Sequence, residues 1–157
     1  MKKIDSFTVN HIKLKKGVYV SRMDHYGAET LTTFDVRMKL PNSDMLENGS
    51  IHTLEHLIAT FVRNDAEFKS SIAYFGPMGC LTGMYLIVNG AYTSEQILPL
   101  LIRAFEFVST FEGEIPGASE IECGNYKLHN LEGAKQEALA YLDVLKNATT
   151  ENLIYPQ

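Results

Sequence analysis

Thr30-Leu31-Thr32-Thr33-Phe34-Asp35-Val36-Arg37-Met38-Lys39-Leu40 is the stretch from which the fold is read. Phe34, Val36 and Met38 alternate with Thr33, Asp35, Arg37 and Lys39, the period-two pattern of a strand with one buried face. A strand is expected over Thr30–Leu40, with Arg37 on the face opposite Val36. On its own, Arg37 reads as a solvated strand residue. Upstream, Val18, Val20 and Met23 lie between polar residues, so Gly17 to Tyr26 is a second expected strand, with Gly27 turning the chain. Downstream, Pro41-Asn42-Ser43 ends the first strand. Ser71 to Phe75 and Gly83 to Val88 predict two more strands; the latter is apolar on both faces and belongs in the middle of its sheet.

Helical spacing fills the gaps. Ile51, Leu54, Leu57, Ile58, Phe61 and Val62 form one stripe, predicting a helix to about Asn64 with Ser50 as N-cap. Thr93-Ser94-Glu95 opens a helix to about Phe111. Pro99 falls inside it and removes one hydrogen bond, which predicts a late start or a kink. Leu131, Ala134, Ala138, Tyr141, Leu142 and Leu145 mark a third helix over about Asn130–Lys146. The first residues read as an extended arm, and the last ten as frayed, with Leu153 and Tyr155 docked. Strands arriving in adjacent pairs predict an α+β two-layer sandwich, an antiparallel sheet with helices packed on one face. With no repeat and no linker, residues 1–157 read as one domain.

Composition narrows the function. The chain is 45% hydrophobic and 21% charged, with a net charge of −5. No basic run offsets that charge, so nucleic acid is not the expected partner. No apolar run reaches the roughly 18 residues of a membrane span, and residues 1–30 lack a signal segment. The expected compartment is the cytoplasm. Two cysteines, Cys80 and Cys123, make no disulfide framework. Both sit beside glycine in polar surroundings, a poor setting for a core residue.

The chemistry starts at His52-Thr53-Leu54-Glu55-His56. On a helix turning about 100° per residue, residues four apart point the same way. His52 and His56 can thus face one metal ion, with Glu55 beside them to handle a proton. This HxxEH order inverts the zinc-protease motif. Read as nothing more, it is a helix with two incidental histidines. A catalytic site needs a third protein ligand and an open position. Spacing leaves His11, His25, His129, Cys80, Cys123 and several carboxylates as candidates. His25 and His129 read as structural or surface residues, and His11 as a surface histidine.

Three separate segments carry a resemblance: Ile51 through Leu57, Pro77-Met78-Gly79-Cys80-Leu81-Thr82-Gly83-Met84-Tyr85-Leu86, and Glu122-Cys123-Gly124-Asn125-Tyr126-Lys127-Leu128-His129-Asn130-Leu131-Glu132-Gly133-Ala134-Lys135. With Ser6 through His11 and Phe34 through Arg37, they resemble the LuxS family of S-ribosylhomocysteine lyases along nearly the whole chain. The resemblance implies a cytoplasmic homodimer with active sites at the subunit interface. It implies a carbonyl migration and β-elimination that yield homocysteine and 4,5-dihydroxy-2,3-pentanedione, the precursor of autoinducer-2. It places metal ligands at His52, His56 and Cys123, acid–base residues at Glu55 and Cys80, and substrate contacts at Ser6, His11, Arg37 and Arg63. The implied metal is Fe²⁺, with Zn²⁺ or Co²⁺ able to substitute. Two features depart from the pattern. Leu81 follows Cys80 where relatives often carry Arg or Gln, and Ala73-Tyr74-Phe75-Gly76 lacks an aspartate found in some members. A zinc peptidase of the HxxEH type and a closed structural metal module are the alternatives.

Overall fold

The computed structural model describes residues 1–157. Its elements run β1 (Gly17–Tyr26), β2 (Glu29–Arg37), α1 (Asn48–Asn64), β3 (Ile72–Pro77), β4 (Gly83–Asn89), α2 (Ser94–Ser109) and α3 (Leu131–Lys146), with short 3-10 turns at Asp5–Phe7 and Thr150–Asn152. The four strands form one sheet in the order β1-β2-β4-β3, and every neighbouring pair is antiparallel. The expected α+β sandwich is the fold found.

Strand alternation sorts the sheet into two faces. Val18, Phe34, Val36, Met84, Leu86 and Val88 point into one apolar core, where they meet Leu54, Leu57 and Ile58 of α1, Leu101 and Phe105 of α2, and Ala138 and Tyr141 of α3. The other face carries Tyr19, Asp35 and Arg37, also buried, because the chain termini cover it. β4 lies between β2 and β3, as its two-faced apolar sequence required. Leu86, fully buried there, touches atoms on all sides. Leu86→Ala is expected to lower stability by about 2–5 kcal/mol, read as a fall in the urea midpoint with unchanged slope.

Several boundaries differ from the sequence reading. β2 stops at Arg37 rather than Leu40, because the amides of Met38 and Lys39 both donate to Thr82 O, at 3.0 and 2.9 Å. The crossing is tight: a Cβ on Gly83 would sit 2.2 Å from Val36 O. Ser50 is not the N-cap of α1. Glu47 is, with its carboxylate accepting from Gly49 N at 2.7 Å and Ser50 N at 2.9 Å, while Ser50 Oγ donates to the same carboxylate. α2 begins at Ser94 with Pro99 in its interior, so no late start occurs. A capping box secures that end: Thr93 Oγ1 accepts from Gln96 N, and Gln96 Oε1 from Thr93 N. The C-terminal residues are not frayed. Asn152 Nδ2 donates to Lys16 O at 2.9 Å, and Tyr155 stacks on Tyr19 with centroids 4.7 Å apart. No helix is long and apolar enough to cross a membrane.

Candidate active site

α1 presents His52 and His56 on one side, with ring centroids 4.6 Å apart. Each ring is held through its Nδ1–H. His52 donates to Leu128 O at 2.6 Å and His56 to Pro116 O at 2.7 Å. A backbone carbonyl can only accept, so each Nε2 is left with a bare lone pair, the ligand form of imidazole. Both acceptors lie in the irregular segment between α2 and α3. Its turns, including Cys123 N to Ser119 O at 3.0 Å, carry Cys123 to the histidines. Gly117 lets the loop close: its φ is +71°, and a Cβ there would sit 3.3 Å from His56 Nδ1.

Cys123 Sγ lies 3.5 Å from His52 Nε2 and 3.8 Å from His56 Nε2. Tetrahedral bonds of about 2.1 Å to nitrogen and 2.3 Å to sulfur place two such donors roughly 3.6 Å apart. The donor set therefore fits a single divalent ion. Together with His129, these side chains bring four possible ligand atoms within 4.8 Å of one another.

His129, one of the candidate third ligands although its context favoured a structural or surface role, enters this cluster. Thr53 explains its state. Thr53 Oγ1 donates its one proton to Gly49 O at 2.8 Å, so it accepts from His129 Nδ1–H at 3.1 Å and from Asn130 N at 3.0 Å. His129 Nε2 is buried without a partner. Burial, helped by His52 and His56, pushes the imidazole down to about 4, so the ring is neutral. It lies flat against His52, with centroids 4.1 Å apart and planes 16° apart. An imidazole lone pair lies in its ring plane, and two stacked rings cannot aim theirs at one ion. The ligand geometry thus favours His52, His56 and Cys123, with His129 as the wall that fixes the His52 ring. His129→Ala is expected to weaken metal affinity by about 10–100-fold without abolishing binding, measured by competition with a chelator of known affinity.

A second group lies on the other face of the sheet. Cys80 sits in the turn from β3 to β4, next to Leu81, whose φ of 59° is left-handed. Such a conformation costs a non-glycine residue about 1–2 kcal/mol and is held by Leu81 N to Met78 O and by Leu46 N to Leu81 O. Cys80 Sγ is 3.0 Å from Thr82 Oγ1 and 3.9 Å from Arg37 Nη1. Burial pushes the thiol up, but the hydrogen bonds from Thr82 and the charge of Arg37 outweigh it, and the net shift is down. Arg37 is not the solvated residue its strand suggested. It is held in a two-pronged pair by Asp35, at 2.7 and 3.1 Å, with side chains 5% and 3% exposed.

Ser6, His11, Arg37, Cys80, Tyr85 and Tyr155 line one cavity of about 280 Å³. His11, Arg37, Asp44, Cys80 and Thr82 line a wider one of about 570 Å³ beside it. His11 Nδ1 donates to Val9 O at 2.9 Å, which leaves Nε2 as an acceptor. The expected substrate residues Ser6, His11 and Arg37 thus meet around Cys80. Arg63 does not join them: its guanidinium donates to Ile72 O and Ala73 O of β3, at 3.1 and 3.3 Å. Glu55 is half-buried on α1 beside His56. His25 is exposed and bonds to Thr30 Oγ1.

The sequence reading gave no role to Asp35 and Thr82, and expected of Tyr155 only the docking now seen. Asp35 and Arg37 are two apart on one strand, as are Cys80 and Thr82 in the chain, and that spacing was a usable signal. Nothing local marked Tyr155. Burial and the Asp35 carboxylate push its phenol well up, so it stays a donor.

An HxxEH helix and a loop cysteine whose donor atoms could hold a metal ion, with a separate thiol beside a buried arginine, define a small α+β protein of the metal-binding kind. Comparison with known proteins narrows this. A family profile described as S-Ribosylhomocysteinase (LuxS) matches residues 4–152. A protein of Phocaeicola vulgatus named S-ribosylhomocysteine lyase is 53% identical over 158 residues, covering 99% of this chain and 98% of its own. Namesakes from Porphyromonas gingivalis, at 53%, and Borreliella burgdorferi, at 50%, are matched over 99% of this chain. The chain belongs to the LuxS family. Membership displaces the peptidase alternative, and Cys80, standing apart from the cluster, argues against a closed four-ligand module.

Proposed function

We propose that this protein is an S-ribosylhomocysteine lyase, a carbon–sulfur lyase formed by residues 1–157 as one catalytic domain. The observation that carries the reading is the pairing of a three-donor metal centre with a thiol whose neighbours favour its thiolate. His52, His56 and Cys123 would hold the ion, Fe²⁺ by family likeness, with Zn²⁺ or Co²⁺ able to replace it. When bound, the ion supplies Lewis-acid polarisation of sugar oxygens.

The thioether carbon of S-ribosylhomocysteine is unactivated in the aldose. The carbonyl must first move from C1 to C3. Cys80 thiolate takes the C2 proton and returns it at C1, then takes the C3 proton and returns it at C2. Each shift passes through an enediolate, whose oxygens exchange protons with Glu55. With the carbonyl at C3, Glu55 takes the C4 proton, homocysteine thiolate leaves from C5, and the proton goes on to the departing sulfur. The enol left behind tautomerises to 4,5-dihydroxy-2,3-pentanedione, the autoinducer-2 precursor. Protons and electrons balance without an external oxidant or reductant. Ser6, His11 and Arg37 bind the substrate around Cys80; Arg63, spent on β3, is the weakest of the four substrate assignments.

The functional unit is a homodimer with sites at the interface. Two features support this. The Cys80 cavities include none of the four cluster residues, so one chain displays two partial sites. Beside His11 and Cys80, Phe7, Ile12 and Met45 are 69%, 96% and 65% exposed, apolar surface of the kind a second copy covers. The cytoplasm suits the two free cysteines. A net charge of −5 and the absence of a membrane-spanning helix leave no feature calling for nucleic acid or lipid.

The test is thiol release from S-ribosylhomocysteine by anaerobically purified protein, with metal assayed on the same sample. Glu55→Gln is expected to keep the metal and lose about 10²–10⁴-fold in rate. A metal-loaded wild type that releases no thiol overturns the lyase reading.

A further inference from the structure

One run of hydrogen bonds can be read in direction from Tyr155 as far as Thr82. Tyr155 Oη–H donates to Asp35 Oδ2 at 2.8 Å. The same carboxylate accepts from Arg37 Nη2 and Nε. Arg37 Nη1 donates to Thr82 Oγ1 at 2.5 Å; a guanidinium has no acceptor, so the hydroxyl oxygen must accept. The one proton of Thr82 is then free for Cys80 Sγ at 3.0 Å. Once Cys80 is ionised, its sulfur ends the chain as the acceptor of that proton.

Tyr155 does not depend on Asp35 for its place. Its ring stacks on Tyr19 with planes 10° apart, and Tyr19 Oη is itself anchored between Lys15 O and Glu151 O, each at 3.0 Å. The tail thus brings a fixed donor to a carboxylate that is otherwise held by Arg37 alone.

We propose that Tyr155 is a positioning residue for Cys80, acting through Asp35, Arg37 and Thr82. A buried carboxylate needs its lone pairs satisfied. With the phenol present, Asp35 shares its charge between two donors. Without it, Asp35 draws wholly on Arg37, and less of the guanidinium's charge reaches the sulfur. The other titratable groups around Cys80 are His11, Asp44 and Tyr85, none of which Tyr155→Phe replaces. The inference deepens the lyase reading, which makes Cys80 the proton carrier.

The experiment is alkylation of Cys80 by iodoacetamide against pH, followed by mass spectrometry of its peptide in metal-loaded protein. Tyr155→Phe keeps the stacked ring and removes the donor. Its midpoint is expected to rise by about half a pH unit, slowing alkylation about threefold below the midpoint. Arg37→Met is expected to move it further the same way, and Tyr155→Phe to add nothing on that background. An unchanged midpoint in Tyr155→Phe overturns the proposal, as does a shift that adds in full to that of Arg37→Met. If Arg37→Met does not fold, the single Tyr155→Phe midpoint still decides. The readout needs no turnover, so a wild type that alkylates normally but releases no thiol counts against the lyase reading alone.

Discussion

Cys80→Ala is expected to abolish thiol release from S-ribosylhomocysteine while the protein keeps its metal. The carbonyl shifts each need one group that takes and returns a carbon-bound proton, and Cys80 is the side chain with the required environment. Removing a general base costs about 10²–10⁴-fold. Two shifts in series depend on this one, so a loss of about 10³-fold or more is expected. Folding should be little affected, because Cys80 is exposed and outside the apolar core. The working form is the thiolate, so the rate rises with pH through the thiol's titration. That limb lies below the ordinary cysteine range, because Thr82 and Arg37 outweigh burial. The check is a wild-type rate profile against pH beside Cys80→Ala turnover and metal content. Residual turnover within tenfold of wild type would remove Cys80 from its assigned role.

Cys123→Ala is the second large effect. Two histidines four residues apart remain on α1, but the loop's donor is gone. Metal content is expected to fall below about a tenth of an equivalent after dialysis, with loss of turnover to match. Stability should fall as well. Metal bound to the native state alone adds RT ln(1 + [L]/Kd), about 4 kcal/mol at a thousandfold excess over Kd. Held by His52, His56 and Cys123, it would tie α1 to the loop between α2 and α3. Loss of metal and Tm in Cys123→Ala, with Cys80→Ala normal in both, would separate the two cysteines into ligand and base. Full metal occupancy in Cys123→Ala would falsify the three-donor assignment and return His129 to the ligand set.

Much of this was legible locally. The period-two run around Phe34 to Met38 and the apolar stripes of the helices depend only on which faces must leave water. Element order and the sandwich follow from them. Strand ends were less legible, because they depend on partners distant in sequence, and the α1 cap because a carboxylate before the helix competes with a nearer hydroxyl. Thr82 O takes two amides and ends β2 early. Glu47 caps α1 three residues before the expected Ser50, accepting from the Gly49 and Ser50 amides. Arg37 misled for the same reason: its strand pattern said solvent, while Asp35, Tyr155 and the covering termini made that face buried.

The sequence by itself determined the fold class and, through its resemblance, the family; it also put His52 and His56 on one side of α1 and pointed to Cys123 as their neighbour. These rest on short-range periodicity or on motifs whose residues carry their own chemistry. Only the tertiary structure decided which imidazole nitrogens are free, that His129 stacks on His52, and that Tyr155 reaches Asp35. Each of those depends on groups 60 or more residues apart in the chain coming into direct contact. Hydrogen-bond direction and ring stacking act only at contact distance, and folding alone creates those contacts.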